Sequence, residues 1–86
     1  MIYEIELKKE INTDLGMRYL AEQLFENLPT RSQKIKMNFK DIRFMSRSFA
    51  QEYVYQKEHH ENIEIIEENM DENILKMFEV VYSSQK

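Results

Sequence analysis

The side chains best suited to chemistry in this sequence fall into three groups. Ser46 and Ser48 stand in the run Met45-Ser46-Arg47-Ser48-Phe49, with Arg43 just upstream. A serine hydroxyl at a helix start accepts from a backbone N–H near the first turn. Ser48 with Gln51 has the capping-box spacing, and Ser46 is a second candidate cap. Arg43 and Arg47 read as surface cations. His59 and His60 lie between Glu58 and Glu61. A metal ion wants three or more converging ligands, and adjacent helical residues point about 100° apart. The pair therefore reads as an exposed helix C-terminus, where cationic imidazole is favoured. Glu64, Glu67, Glu68, Asp71 and Glu72 form an acidic run. Paired carboxylates serve acid–base catalysis, but these straddle a strand end and a helix start and read as a solvated edge. With no cysteine, one glycine and one proline in 86 residues, thiolate chemistry, disulfides and glycine-rich phosphate loops are excluded. No histidine stands beside a plausible nucleophile, so neither an enzyme nor a cofactor nor a metal is expected.

The elements that must position these residues follow from hydrophobic period. Over residues 2–8, Tyr3, Ile5 and Leu7 alternate with Glu4, Glu6 and Lys8, predicting a strand with one buried face. Asn12, Thr13 and Asp14 are candidate caps for a helix from Gly16 to Leu28, whose stripe is Met17, Leu20, Ala21, Leu24 and Leu28. Pro29 ends it, and Thr30 to Gln33 read as a polar loop. Residues 34–39 alternate again, with Ile35, Met37 and Phe39 on one face and Lys34, Lys36 and Asn38 on the other. The run 40–45 reads as a connection. A helix is predicted over 46–59, with Phe49, Ala50, Tyr53 and Val54 inward and Arg47, Gln51, Glu52 and Gln56 outward. Residues 62–67 predict a third strand centred on Ile63, Ile65 and Ile66. Asn69 is a candidate cap for a last helix with Ile74, Leu75, Phe78, Val81 and Tyr82 on its apolar face; residues 82–86 read as a frayed tail. Met17, Met37 and Met77 read as core fill. Tyr19 and Tyr55 fall off the stripes as candidate interface anchors.

The order β-α-β-α-β-α predicts one small α/β domain over residues 1–86 with a mainly parallel three-stranded sheet. The clean alternation of the first two strands implies helices on one face only. Right-handed crossovers on one face then give strand order 1-2-3, leaving Lys34, Lys36 and Asn38 toward solvent or a partner. At 42% hydrophobic residues the chain is too apolar for disorder. Twelve basic against sixteen acidic residues, a net charge of −4, argue against a nucleic-acid partner. No apolar run approaches the roughly 20 residues of a membrane span, and MIYEIELKKE does not read as a signal peptide. A cytoplasmic location is expected, consistent with the lack of cysteine.

The stretch Ile35 to Val54, IKMNFKDIRFMSRSFAQEYV, carries a resemblance. It runs as a strand, an N-F-x-x-I step, an apolar pair, and a serine-rich helix start ending in S-F-A-x-E. This resembles the STAS-like domain family of unknown function, related to the STAS domains of bacterial anti-sigma factor antagonists. Asn38, Phe39, Ile42, Ser46, Ser48, Phe49, Ala50 and Glu52 match. Arg18 resembles the arginine that opens the first family helix, and Asn69-Met70 the asparagine turn before the last. Asn38 and Gln51 stand where aspartate is common. The D-S-S-G core of the antagonists is absent, with Ser46 where they have aspartate and Phe49 where they have glycine.

The resemblance implies a non-catalytic, partner-switching module. Its partner would be a histidine-kinase-like ATPase acting as serine kinase, or an anti-sigma factor. Ser48 aligns with the serine phosphorylated in the antagonists and is the candidate phosphosite. Asn38, Arg43, Ser46, Arg47, Ser48 and Phe49 are the expected partner-binding residues. A phosphate at a helix N-terminus meets free N–H groups and the positive end of the dipole, and Arg43 and Arg47 are near enough in sequence to pair with it. The alternative is a small assembly subunit that forms a homodimer through its open sheet face or an edge strand, with no switch.

Overall fold

Residues 2–29 and 34–84 are described by a computed structural model. Three strands form the main sheet: β1 (Ile2–Glu6), β3 (Lys34–Asn38) and β5 (Glu64–Glu68), paired in that order and all parallel. Between them lie two-residue strands, β2 (Asp14–Leu15) and β4 (Phe44–Met45), which pair with each other as a second parallel sheet. The sequence reading lacks this second sheet because two residues are too short to show a period. What recruits them is burial, since Leu15 and Met45 face each other in register and both are enclosed.

The register sorts the main sheet into two faces. Tyr3, Ile35 and Ile65 lie in one row and Ile5, Met37 and Glu67 in the next. Ile5, Ile35 and Met37 from these rows are buried. The opposite face carries Glu4 beside Lys36, and Glu6 beside Asn38 and Glu68. Lys36 Nζ lies 3.6 Å from Glu68 Oε1, and Asn38 Nδ2 donates to Glu4 Oε2 at 2.9 Å. The open face is thus a basic central strand between two acidic ones.

β1 ends two residues earlier than its alternation suggests. β3 stops at Asn38, opposite Glu6, so the chain beyond has no ladder partner. Residues Leu7–Glu10 instead close one helical turn, α1, which keeps Leu7 buried. Asn12 does not cap a helix; its Oδ1 accepts from Thr13 N–H at 2.6 Å. The next helix, α2, spans Arg18–Glu26, with Met17 at its N-cap position. Met17 is 55% exposed rather than core, whereas Phe25, outside the predicted stripe, is buried. The loop predicted over 30–33 lies outside the described residues.

Helix α3 spans Arg47–Glu58 and α4 spans Glu72–Ser83. α3 packs between α2 and α4. Its Tyr53 is the hub of the core, with ring centroids 5.4 Å from Phe25, 6.0 Å from Phe39, 6.2 Å from Phe49 and 5.2 Å from Phe78. α4 is capped by Asp71, whose Oδ1 accepts from Ile74 N–H at 2.9 Å. Asn69 is not the cap but takes a left-handed turn, with φ 60°, which a short amide side chain tolerates. Leu75 and Tyr82 lie half exposed beside the buried Ile74, Phe78 and Val81. α4 continues through Tyr82 and Ser83, which the sequence reading assigns to the tail, and Ser84 Oγ donates to Val80 O at 2.9 Å. Among the described residues no helix is long and apolar enough to cross a membrane.

Candidate functional site

The start of α3 is fixed from two sides. Ser46 N–H donates to Leu15 O at 2.9 Å, continuing the β2–β4 pairing into the helix. Ser46 Oγ accepts from Phe49 N–H at 3.0 Å. Ser46 is therefore the N-cap, and its extended backbone (φ −74°, ψ 160°) is that of a cap. Arg47 and Ser48 occupy the first two helical positions. Both are exposed, because Phe49 and Ala50 take the inward direction.

Ser48 lies in a shallow depression with Arg18, Gln51, Glu52 and Tyr55. Its floor is Glu52, only 6% exposed although the helical stripe places it outward. A buried carboxylate needs partners, and Glu52 has two. Arg18 Nε donates to Oε1 at 3.0 Å and Gln56 Nε2 to Oε2 at 2.6 Å. The Arg18–Glu52 pair links α2 to α3 at the edge of the depression. Arg18 itself is two-thirds exposed, so part of its guanidinium remains available to a second anion. Tyr55 is half exposed, as is Tyr19 on α2.

The other residues expected to bind a partner are dispersed. Phe49 is fully buried and stacked on Tyr53; the helical turn that exposes Ser48 directs Phe49 into the core, so its side chain is not at the surface. Arg47 Nη2 reaches the end of α4 and donates to Ser84 Oγ at 3.4 Å. Arg43 lies at the carboxyl ends of the strands, in a hollow with Lys8, Thr13, Asp41, Ile42 and Asp71. Asn38 faces the open side of the sheet, bonded to Glu4, to Lys40 N–H and to Asn69. Neither Arg43 nor Arg47 lines the depression with Ser48; the cation there is Arg18.

Arg18 and Glu52 lie 34 positions apart in sequence, and no local periodicity connects them. The sequence signal that touches both is the motif resemblance, in which Glu52 matches and Arg18 is a flanking agreement. His59 and His60 direct Nδ1 to Tyr55 O and Gln56 O, at 2.7 and 2.6 Å. A carbonyl only accepts, so each Nδ1 carries the proton. His60 also packs on Phe25 at 5.2 Å. Among the described residues no three histidine or acidic side chains gather in a metal-binding arrangement.

The depression offers a hydroxyl, a partly free guanidinium, an amide and a phenol around a neutralised carboxylate. That set can bind an anionic or polar surface. No protein-family model, curated protein or solved structure matches this chain.

Proposed function

We propose that this chain is a non-catalytic regulatory module that binds a protein partner through the start of α3, and that phosphorylation of Ser48 switches the binding. The observation that carries this reading is the division of labour between the serines. Ser46 performs the capping, so the Ser48 hydroxyl is exposed and has no hydrogen-bond partner among the described residues. A phosphate there would add roughly −1.5 to −2 charge at pH 7. It would sit within the first turn of α3, where the helix dipole favours anions, and beside Arg18. Arg18 would then be shared between the phosphate and Glu52, which loosens the α2–α3 link and alters the docking surface at once. The motif resemblance supports a bacterial setting and a histidine-kinase-like ATPase or anti-sigma factor as the partner class, and the lack of cysteine supports a cytoplasmic one.

The test compares wild type, Ser48→Ala and Ser48→Asp as bait in lysate of the native host, with circular dichroism to verify the fold. A partner retained by wild type and Ser48→Ala but lost by Ser48→Asp is the expected result. Equal retention by all three folded proteins would overturn the switch. The assembly alternative has less support, because the polar groups of the open face are already paired within one chain through Lys36–Glu68 and Asn38–Glu4.

A further inference from the structure

A second surface lies on the far side of α2 from Ser48 and does not depend on the reading above. β1 is an edge strand; among the described residues only β3 pairs with it. The backbone N–H and C=O groups of its outer edge have no strand partner among the described residues. Beside that edge runs a groove between β1 and α2, lined by the apolar Tyr3, Ile5, Ile11, Leu20 and Leu24 together with the polar Glu10, Gln23 and Asn27. Tyr3 is 46% exposed there, although its row-mate Ile35 is wholly enclosed. A strand added to β1 would send alternate side chains into this groove and the intervening ones to the open face.

The chemistry of those intervening residues is set by charge. On the open face β1 presents Glu4 and Glu6, and an adjoining hollow is lined by Glu4, Glu6, Lys9 and Glu10. The chain already shows what suits β1. Its inner neighbour β3 reads Lys-Ile-Lys-Met-Asn, with Ile35 and Met37 facing the core, Lys36 beside Glu4 in the register and Asn38 Nδ2 donating to Glu4. A second copy does not supply this pattern at its edges. β5, the other edge strand, carries Glu64 and Glu68 on the same open face. Joining two edges of two copies sets two acidic strands side by side with no lysine between them, which disfavours the pairing.

We infer that the free edge of β1 and the adjoining groove form a docking site for an extended segment of another protein in which apolar and basic residues alternate. The segment extends the sheet by one strand, placing its apolar side chains over Tyr3, Ile5 and Leu24 and its lysines or arginines against Glu4 and Glu6.

The test uses two synthetic peptides, one alternating arginine with valine and its counterpart with glutamate in place of arginine, titrated into isotopically labelled protein. The expected result is saturable shifts on the amides of Ile2–Glu6 and the methyls of Leu20 and Leu24 with the basic peptide only. Affinity should be about tenfold or more above that of the acidic peptide, as several cross-strand charge pairs would give. The double variant Glu4→Lys, Glu6→Lys, checked for native shifts elsewhere, should reverse the preference. Equal response to both peptides, no response, or shifts confined to another surface would overturn the proposal. So would protection of β1 by self-association.

Discussion

Two serines two positions apart do different work, and the difference is a matter of one hydrogen bond. Ser46 Oγ satisfies the Phe49 N–H, a donor that the helix itself leaves unpaired. Its loss in Ser46→Ala should lower stability by about 1 kcal/mol, within a range of about 0.5–2. Ser48→Ala removes an exposed hydroxyl with no partner among the described residues and should stay within about 0.5 kcal/mol of wild type. Urea titration of the two variants checks the assignment, and the reverse order would mean that Ser48 caps the helix. The sequence allowed both serines as caps, since each has the right residue type and a helix beginning nearby. Only the backbone turn after Met45, fixed by the pairing of Ser46 with Leu15, chooses between them. Glu52 shows a similar limit. Its outward place on the helix is legible; its burial is not, because that depends on Arg18 arriving from another helix.

Among the elements, α3 is tied to β5 by a polar clasp. Tyr53 donates its phenol proton to Glu67 Oε2 at 2.7 Å, and Lys57 Nζ lies 3.1 Å from the same oxygen. Burial, and then the negative charge of Glu67, push the Tyr53 phenol well above its ordinary value. The folded state thus holds this proton more tightly than the unfolded chain does. Its contribution to stability is complete below about pH 10, the ordinary phenol value, and declines as pH rises from there toward the folded value. Tyr53→Phe should lose about 1 kcal/mol at neutral pH and show a shallower decline above pH 10. Urea midpoints measured against pH for both proteins provide the check, and parallel alkaline slopes would refute it. Lysines also titrate in this range, which is why the difference between the two proteins carries the test. The long strands and helices were legible from period alone, and Tyr53 was placed inward. Glu67 reads as solvated in the acidic run 64–72, and nothing in its own strand signals that Tyr53 and Lys57 of α3 reach it. The β2–β4 pair and the turn at Leu7–Glu10 are not legible in the sequence for a different reason: each is set by what lies across from it rather than by its own pattern.

At the scale of the whole molecule, charge is arranged by strand. Glutamates line the open face of both edge strands, and lysines line the middle one. The chain's modest net charge of −4 hides this layout, which opposes growth of the sheet by self-pairing. Hydrogen exchange at the β1 and β5 edges should therefore be the same in dilute and concentrated samples. Slower exchange at either edge on concentration would show that copies join there.

The three long strands also lie side by side in the order in which they leave the ribosome. β1 and β3 can pair as soon as both have emerged, but β5 follows only after all of α3, at a synthesis rate of roughly 5–20 residues per second. Until then the far side of β3, with its alternating lysines, is an open edge of the kind that an acidic strand edge attracts. A strand borrowed from another chain would have to settle there before β5 arrives, since β5 then occupies that edge.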